Sequence, residues 1–190
     1  AFAREYPQLR GLPLLTLPGR GTRLKGHADG VRLLALLATR YGVQAALFMP
    51  GARETGREAY LAEIEALARS LGVGARVVAC APRADVRDIY AASALVLRLS
   101  HQPEAFGRTA LEALSVGVPV LGYAHGGIGE LLAELFPDGA VAPADVDTLA
   151  ARAAHLLVAR PLLPAVAGHS LADMQAATLA LYHELRDAPP

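Results

Sequence analysis

The sequence predicts an α/β domain: a Rossmann-like parallel sheet of about six strands with helices on both faces. Short apolar runs alternate along the chain with longer segments of helical period, and several of the helical segments end at a glycine. The residues with chemistry to offer fall in the loops that follow the apolar runs. In a parallel sheet those loops lie at the C-terminal strand ends, where ligands bind.

The elements follow in order. Residues Ala1 to Gly11 read as a polar lead-in, and Leu14 to Leu17 as a buried strand stopped by Pro18-Gly19. Gly26 to Tyr41 carries Val31, Leu34, Ala35 and Ala38 at helical spacing and closes on Gly42. Ala45 to Met49 is a second strand; Arg57 to Leu71 is a helix on Leu61, Ile64, Leu67 and Ala68, stopped by Gly72; Arg76 to Ala79 is a third strand. Asp85 is expected to cap a short helix through Tyr90, and Ala94 to Leu97 is the fourth strand. Phe106-Gly107 open a helix that Gly117 ends, and Val118 to Leu121 run as the fifth strand into a His125-Gly126-Gly127 turn. A helix is then expected from Gly129, with Glu130 in its first turn, to about Leu135, a short strand at Ala140-Val141, and a helix from Asp145 to about Ala159. Pro161 and Pro164 interrupt. A last helix over 170–187 places Leu171, Met174, Leu181 and Leu185 near one face.

At 190 residues, 53% of them apolar, the chain can bury one core and is too short for two full-sized domains, so 1–190 is expected to be a single domain. It begins at Ala1 and is expected to be part of a longer protein. Eighteen basic residues balance eighteen acidic ones and lie scattered, which argues against a nucleic-acid groove. The single cysteine, Cys80, excludes an internal disulfide and a cysteine-based zinc cluster and is expected in the core. No stretch is long and apolar enough for a transmembrane segment. The six histidines show no metal-ligand spacing, so no metal is expected.

Pro103 to Glu130 organises the rest. Glu104 sits in a loop, free backbone N–H groups follow at the helix start, and a Gly-Gly pair lies nearby, a plausible cradle for a phosphorylated, hydroxyl-rich ligand. The first loop, Gly19-Arg20-Gly21-Thr22-Arg23-Leu24-Lys25-Gly26, fits neither the dinucleotide fingerprint nor the P-loop, because Leu24 and His27-Ala28 stand where those need other residues. Arg20 and Lys25 can nonetheless hold two charges of a diphosphate, or stand as two solvated cations. Glu104 and Glu112 form an E-x7-E pair. On a continuous helix their backbones would lie roughly 12 Å apart, beyond the ~5–9.5 Å of a glycosidase carboxylate pair, so two separate jobs are expected of them: sugar hydroxyls for Glu104, a ribose for Glu112. Either could instead be a surface glutamate near a helix start. Ala113-x-Ser115-x-Gly117 suggests a hydrolase elbow but has the wrong context, since Ser115 follows a helix and precedes a strand.

Gly19-Arg20 with Lys25-Gly26, then Glu104-x-Phe106-Gly107 and Glu112-Ala113, then Gly117-x-Pro119-Val120 and Gly126-Gly127-x-x-Glu130, resemble in order and spacing the C-terminal donor-binding domain of a family 4 (group 1) GT-B glycosyltransferase, over about Leu14 to Leu157. The resemblance implies retaining transfer of a sugar from a nucleotide diphosphate sugar (UDP-, GDP- or ADP-linked) to a glycan or lipid-linked acceptor, without cofactor or metal. Envelope polysaccharide or lipopolysaccharide synthesis is the implied pathway. It assigns Arg20 and Lys25 to the diphosphate, Glu104 to the transferred sugar, and Glu112 to the ribose. It places Phe106, Gly107, Arg108 and Thr109 at the phosphates through their backbone, Gly126 and Gly127 at the donor, and Arg83 at the base. The family's acceptor comes on an N-terminal lobe for which this chain has no sequence, so the isolated domain is expected to transfer nothing. A cytoplasmic location is implied, with the full-length protein able to sit at the inner membrane face. Leu99-Ser100 stands where the family commonly has Pro-Ser, and Pro50-Gly51 where its glycine turn follows the second strand. A non-catalytic nucleotide-sugar-binding module and a GT-B nucleotide-sugar epimerase are the alternatives.

Overall fold

The structure, a computed structural model, describes residues 5–187. Six parallel strands form one sheet: β1 (Leu14–Thr16), β2 (Ala46–Pro50), β3 (Val77–Cys80), β4 (Leu95–Arg98), β5 (Val120–Tyr123) and β6 (Ala140–Val141). Their order is β3-β2-β1-β4-β5-β6, with every neighbouring pair parallel. Successive strands step outward from β1 to β3, and the chain then crosses back to place β4 on the other side of β1. That reversal opens a crevice between the loops after β1 and β4.

Seven α-helices are described: α1 (His27–Tyr41), α2 (Glu58–Ser70), α3 (Val86–Ala91), α4 (Arg108–Ser115), α5 (Gly126–Leu135), α6 (Val146–Ala159) and α7 (Leu171–Asp187). Side chains of β1, β2 and β3 alternate between two cores, as a pleated strand requires. Leu15, Leu47 and Met49 join Val31, Leu34 and Leu37 of α1 and Leu149, Ala153 and Leu156 of α6 in the larger one. Leu14, Ala46, Phe48, Val78 and Cys80 face the other way, against Ile89 of α3 and Leu9. Both faces are therefore covered, and Cys80 is buried as expected. The buried side of α1 is wider than the expected stripe, adding Leu33 and Leu37, because the helix packs on α6 as well as on the sheet.

Several details differ from expectation. Part of the lead-in is not a free polar segment: Pro7–Leu9 form a 3-10 turn, Leu9 is buried, and the Tyr6 ring lies 5.2 Å from that of Phe48. β5 starts two residues late because Pro119 has no N–H to give the ladder, although its carbonyl accepts from Val96 N at 2.9 Å. Asp85 precedes α3 without capping it, since its carboxylate is taken by Arg83. Asp145 does cap α6, accepting from Thr148 N at 2.9 Å. Gly126 and Gly127 are the first residues of α5 rather than a turn before it, which moves Glu130 into the second turn. The expected face of α7 is real as a spacing but is not buried: Leu171, Met174, Leu181 and Leu185 are all exposed.

One glycine fixes how the first loop meets the sheet. Gly26 joins the 3-10 turn Arg23–Lys25 to α1 with φ +71°, and a Cβ there would stand 2.1 Å from the Leu99 carbonyl oxygen. Gly26→Ala is expected to cost about 2–4 kcal/mol through left-handed strain plus forced separation of the two loops. Gly42→Ala, at φ +65° with nothing near its Cβ, is expected to cost only about 1 kcal/mol. Urea unfolding of both variants checks this, and equal losses would remove the contact argument.

Candidate functional site

The loops at the C-terminal strand ends enclose two adjoining clefts. The larger, about 730 Å³, is lined by Pro18, Gly19 and Arg20 after β1, Pro50 and Gly51 after β2, Arg83 after β3, Tyr90 of α3, and Arg108, Thr109 and Glu112 of α4. The second, about 560 Å³, is lined by Arg20, Lys25, Arg57, Ser100, Gln102 and Glu104. Arg20 borders both. Its side chain has no acceptor among the described residues, so a cation stands uncommitted where the clefts meet.

Glu104 is held from two sides. Lys25 Nζ donates to Oε1 at 2.5 Å, and Arg98 Nη2 donates to both carboxylate oxygens at 2.7 and 2.6 Å. Burial raises its pKa, but the Lys25 hydrogen bond and the Arg98 charge outweigh that and hold the group below the usual carboxylate range. Backbone contacts fix the loop that carries it. Gly127 N donates to the Glu104 carbonyl at 2.7 Å, and a Cβ on Gly127 would come within 2.5 Å of Ala105 O and Phe106 Cα. Gly126 and Gly127 thus lie beneath the Glu104 loop, where side chains would push it outward. His125 Nε2 meets the Ser100 carbonyl at 2.8 Å, and His101 N donates to Leu24 O at 2.8 Å, tying the loop after β4 to the loop after β1.

Glu112 is exposed in the larger cleft, one turn along α4 from Arg108, whose Nε lies 3.5 Å from it. At the start of α4 the Gly107 carbonyl accepts from Ala110 and Leu111. The amides of Arg108 and Thr109 precede any intrahelical acceptor, and both residues line the cleft. Arg83 is already committed. It donates to Asp85 through Nε and Nη2 at 2.8 Å and to both Glu5 oxygens through Nη1 at 2.7 Å.

The structure therefore gathers Arg20, Lys25 and Glu104 in one cleft, and Arg20, Arg83, Arg108, Thr109 and Glu112 in the other. Phe106 lines neither; it is 49% exposed, with its ring 6.3 Å from that of His169. Gly107 is buried as the cap residue of α4. Ser115 sits at the helix end and donates to Glu112 O at 2.7 Å, which is not the setting of a nucleophile elbow. No group of three or more potential metal ligands occurs among the described residues. Arg98 was not anticipated. Its signal was a charge ending the apolar run Leu95-Val96-Leu97, which a buried strand tolerates only with a partner.

His27 lies behind the first loop, with Tyr60 Oη 3.5 Å from Nδ1. Burial drives its pKa down to about 4, partly offset by the backbone of Thr22 and Gly19. The folded chain keeps this ring neutral, whereas in the unfolded chain it titrates near 6.5. The unfolded state thus binds more protons between those values, so stability present above pH 6.5 is lost as pH falls toward 4. The full effect is on the order of 3 kcal/mol. In urea unfolding, His27→Gln is expected to remove most of this excess loss between pH 7 and 4.5, and identical pH slopes in the two proteins would overturn the assignment.

With this geometry in place, the comparisons with known proteins converge. The family model described as glycosyl transferases group 1 matches residues 4–165. The lipopolysaccharide glucosyltransferase WaaG of Escherichia coli is 34% identical over 144 residues, which are 69% of this chain and 37% of that protein. Among solved structures, a glycosyltransferase from Rickettsia africae superposes with a TM-score of 0.79 at 20% identity, over 99% of this chain and 52% of the other. Anabaena Alr3699/HepE, solved in complex with UDP-glucose, gives 0.72 at 23% identity, over 95% of this chain and 51% of the other. The chain spans well under half the length of the curated relatives it matches.

Proposed function

The chain belongs to the glycosyl transferases group 1 family, and from that premise we propose that it is the C-terminal, donor-binding lobe of a two-lobe retaining family 4 enzyme. The observation that carries the reading is the pair of clefts sharing Arg20 at the sheet's topological switch point. A nucleotide diphosphate sugar has the same tripartite plan: a nucleoside, two phosphates and a hexose. The nucleoside lies in the larger cleft, with Glu112 accepting from the ribose hydroxyls and the base toward Arg83. The diphosphate lies across Arg20 and Lys25 and takes the free amides of Arg108 and Thr109. The sugar enters the second cleft beside Glu104.

Transfer breaks the bond between the anomeric carbon and the diphosphate, so negative charge grows on the leaving oxygen and positive charge on the sugar ring. Arg20, Lys25 and the α4 N-terminus meet the first without a metal ion, and the ionised Glu104 faces the second. Glu104 needs no bond to the sugar in this scheme. Two relatives support the reading by what they are: WaaG is a glucosyltransferase, and Alr3699/HepE was solved with UDP-glucose. A glycan or lipid-linked acceptor would come with a further lobe, consistent with relatives about twice this chain's length. Envelope polysaccharide or lipopolysaccharide synthesis follows by analogy with WaaG. No helix among the described residues is long and apolar enough to cross a membrane.

Calorimetry and thermal-shift titration of the chain with UDP, GDP, ADP and their hexose derivatives test the assignment. One base family is expected to raise the melting temperature. Lys25→Ala and Glu112→Ala are each expected to weaken that binding about tenfold or more, by loss of a charge-assisted contact. Absence of binding by every nucleotide at millimolar concentration, in this chain and in the full-length protein alike, would overturn it.

A further inference from the structure

Arg98 is a cost in the fold unless it has a task. It is 7% exposed, ends a strand whose other residues are fully buried and apolar, and its Nε has no hydrogen-bond partner among the described residues. Placing a guanidinium there requires compensation, and the two compensating contacts are specific. Nη1 donates to the Pro18 carbonyl at 2.9 Å, at the end of the strand that opens the first loop. Nη2 spans both oxygens of Glu104. One side chain thus crosses the switch point from β4 to the loop after β1 and fixes Glu104 against it.

Glu104 has a second cation, Lys25, but the two are not equivalent. Lys25 is on the loop, its side chain is 27% exposed, and it lines the cleft; the Arg98 side chain is 8% exposed and lines neither cleft. On the functional reading above, an arriving diphosphate competes with Glu104 for Lys25. Once Lys25 turns to the phosphates, burial alone would favour the protonated acid and leave the carboxyl free to rotate.

We propose that Arg98 is a positioning residue of the donor site, the permanent counter-ion that keeps Glu104 ionised and aimed at the sugar while Lys25 is taken by the diphosphate. It touches no substrate and acts through Glu104. The proposal rests on the donor-site reading. Other charged groups around the cluster are Arg20 and Arg57 in the same cleft, His27 behind the first loop, and His125 at the base of the Glu104 loop. None of them hydrogen-bonds to the Glu104 carboxylate, which Lys25 and Arg98 hold.

The test uses UDP and UDP-glucose as separate calorimetric probes of the 190-residue chain. Arg98→Met is expected to leave UDP affinity within about twofold of the parent while UDP-glucose binds at least about fivefold more weakly. Arg98→Lys is expected to restore part of the sugar-dependent difference. Equal weakening of both ligands, or an unchanged ratio between them, would overturn the proposal and leave Arg98 as scaffold. If the parent binds neither probe, the GDP and ADP pairs replace them; if none of these binds in this chain or in the full-length protein, the functional reading is what fails, and whether Arg98 holds Glu104 ionised is decided by carbon-detected NMR titration of the Glu104 carboxyl. Its pKa is expected to rise in Arg98→Met and to stay near the parent's in Arg98→Lys. No rise would overturn the proposal, and should the methionine variant not fold, the lysine variant with a displaced Glu104 titration would do the same.

Discussion

The ion cluster of Lys25, Glu104 and Arg98 is the contact on which the candidate site depends. Parallel topology brings β1 and β4 side by side, but their pairing ends at Thr16 and Val96, so the ladder between them does not itself join the loops that follow. The cluster joins them through side chains, beside the backbone bond from His101 N to Leu24 O. A single carboxylate takes hydrogen bonds from the first loop and from the end of β4, and Arg98 adds a bond to Pro18. Two loops joined by one anion move together, and the two clefts between them keep a fixed relation. Removing the carboxylate would leave two cations facing each other across the crevice, one of them deeply buried. That asymmetry makes Glu104 a structural as well as a chemical residue.

Backbone geometry allows the charges to meet. Gly26 lets the first loop pass within contact distance of Leu99, and Gly127 lets the Glu104 loop lie directly on the start of α5. The absence of a side chain at each point is what permits the approach, and a methyl group at either would open the crevice before any charge was altered. Charge is also distributed unevenly within a neutral chain. Arg20, Lys25, Arg57 and Arg98 surround the second cleft or its carboxylate against Glu104 alone, so the site carries excess positive charge although basic and acidic residues balance overall. The net-charge argument against a nucleic-acid groove was blind to this local imbalance, because counting carries no information about where loops converge.

The fold was legible because its signals are local: strands of four or five apolar residues, helices at a 3.6-residue period, and glycine stops at Gly42 and Gly72. The elements and their order agree with the reading from sequence, with ends displaced by one or two residues. Displacements of two or three residues have local causes, as where Pro119 cannot donate to a ladder and Gly126-Gly127 enter a helix that a glycine pair usually avoids. Candidate site residues were legible in part. Arg20, Lys25, Glu104 and Glu112 stand in loops or on a helix face that topology must bring to the strand ends, and there they are. Arg98 was not legible, because it lies six positions before Glu104 and only the curl of the loop brings them together. The committed state of Arg83 was equally hidden, since Glu5 lies 78 positions away in sequence. Pairings across such distances depend on side-chain direction, which periodicity does not report.

The exposure of this machinery bears on what the chain can do alone. Both clefts open to solvent, and Arg20, Arg108 and Glu112, which line them, are all exposed. Attraction between unit charges 4 Å apart falls from about 4 kcal/mol at an effective dielectric of 20 to about 1 kcal/mol in water. An open crevice therefore holds a diphosphate by contacts worth far less than the same contacts under cover. Covering the crevice would exclude water and strengthen every one of these interactions without moving a residue. It would also raise the cost of leaving Glu104 without a counter-ion, so the buried arginine matters more once the site is closed than while it is open. A site with its cations preset, its carboxylate clamped from beneath and its mouth uncovered is suited to a ligand that one surface positions and a second surface encloses.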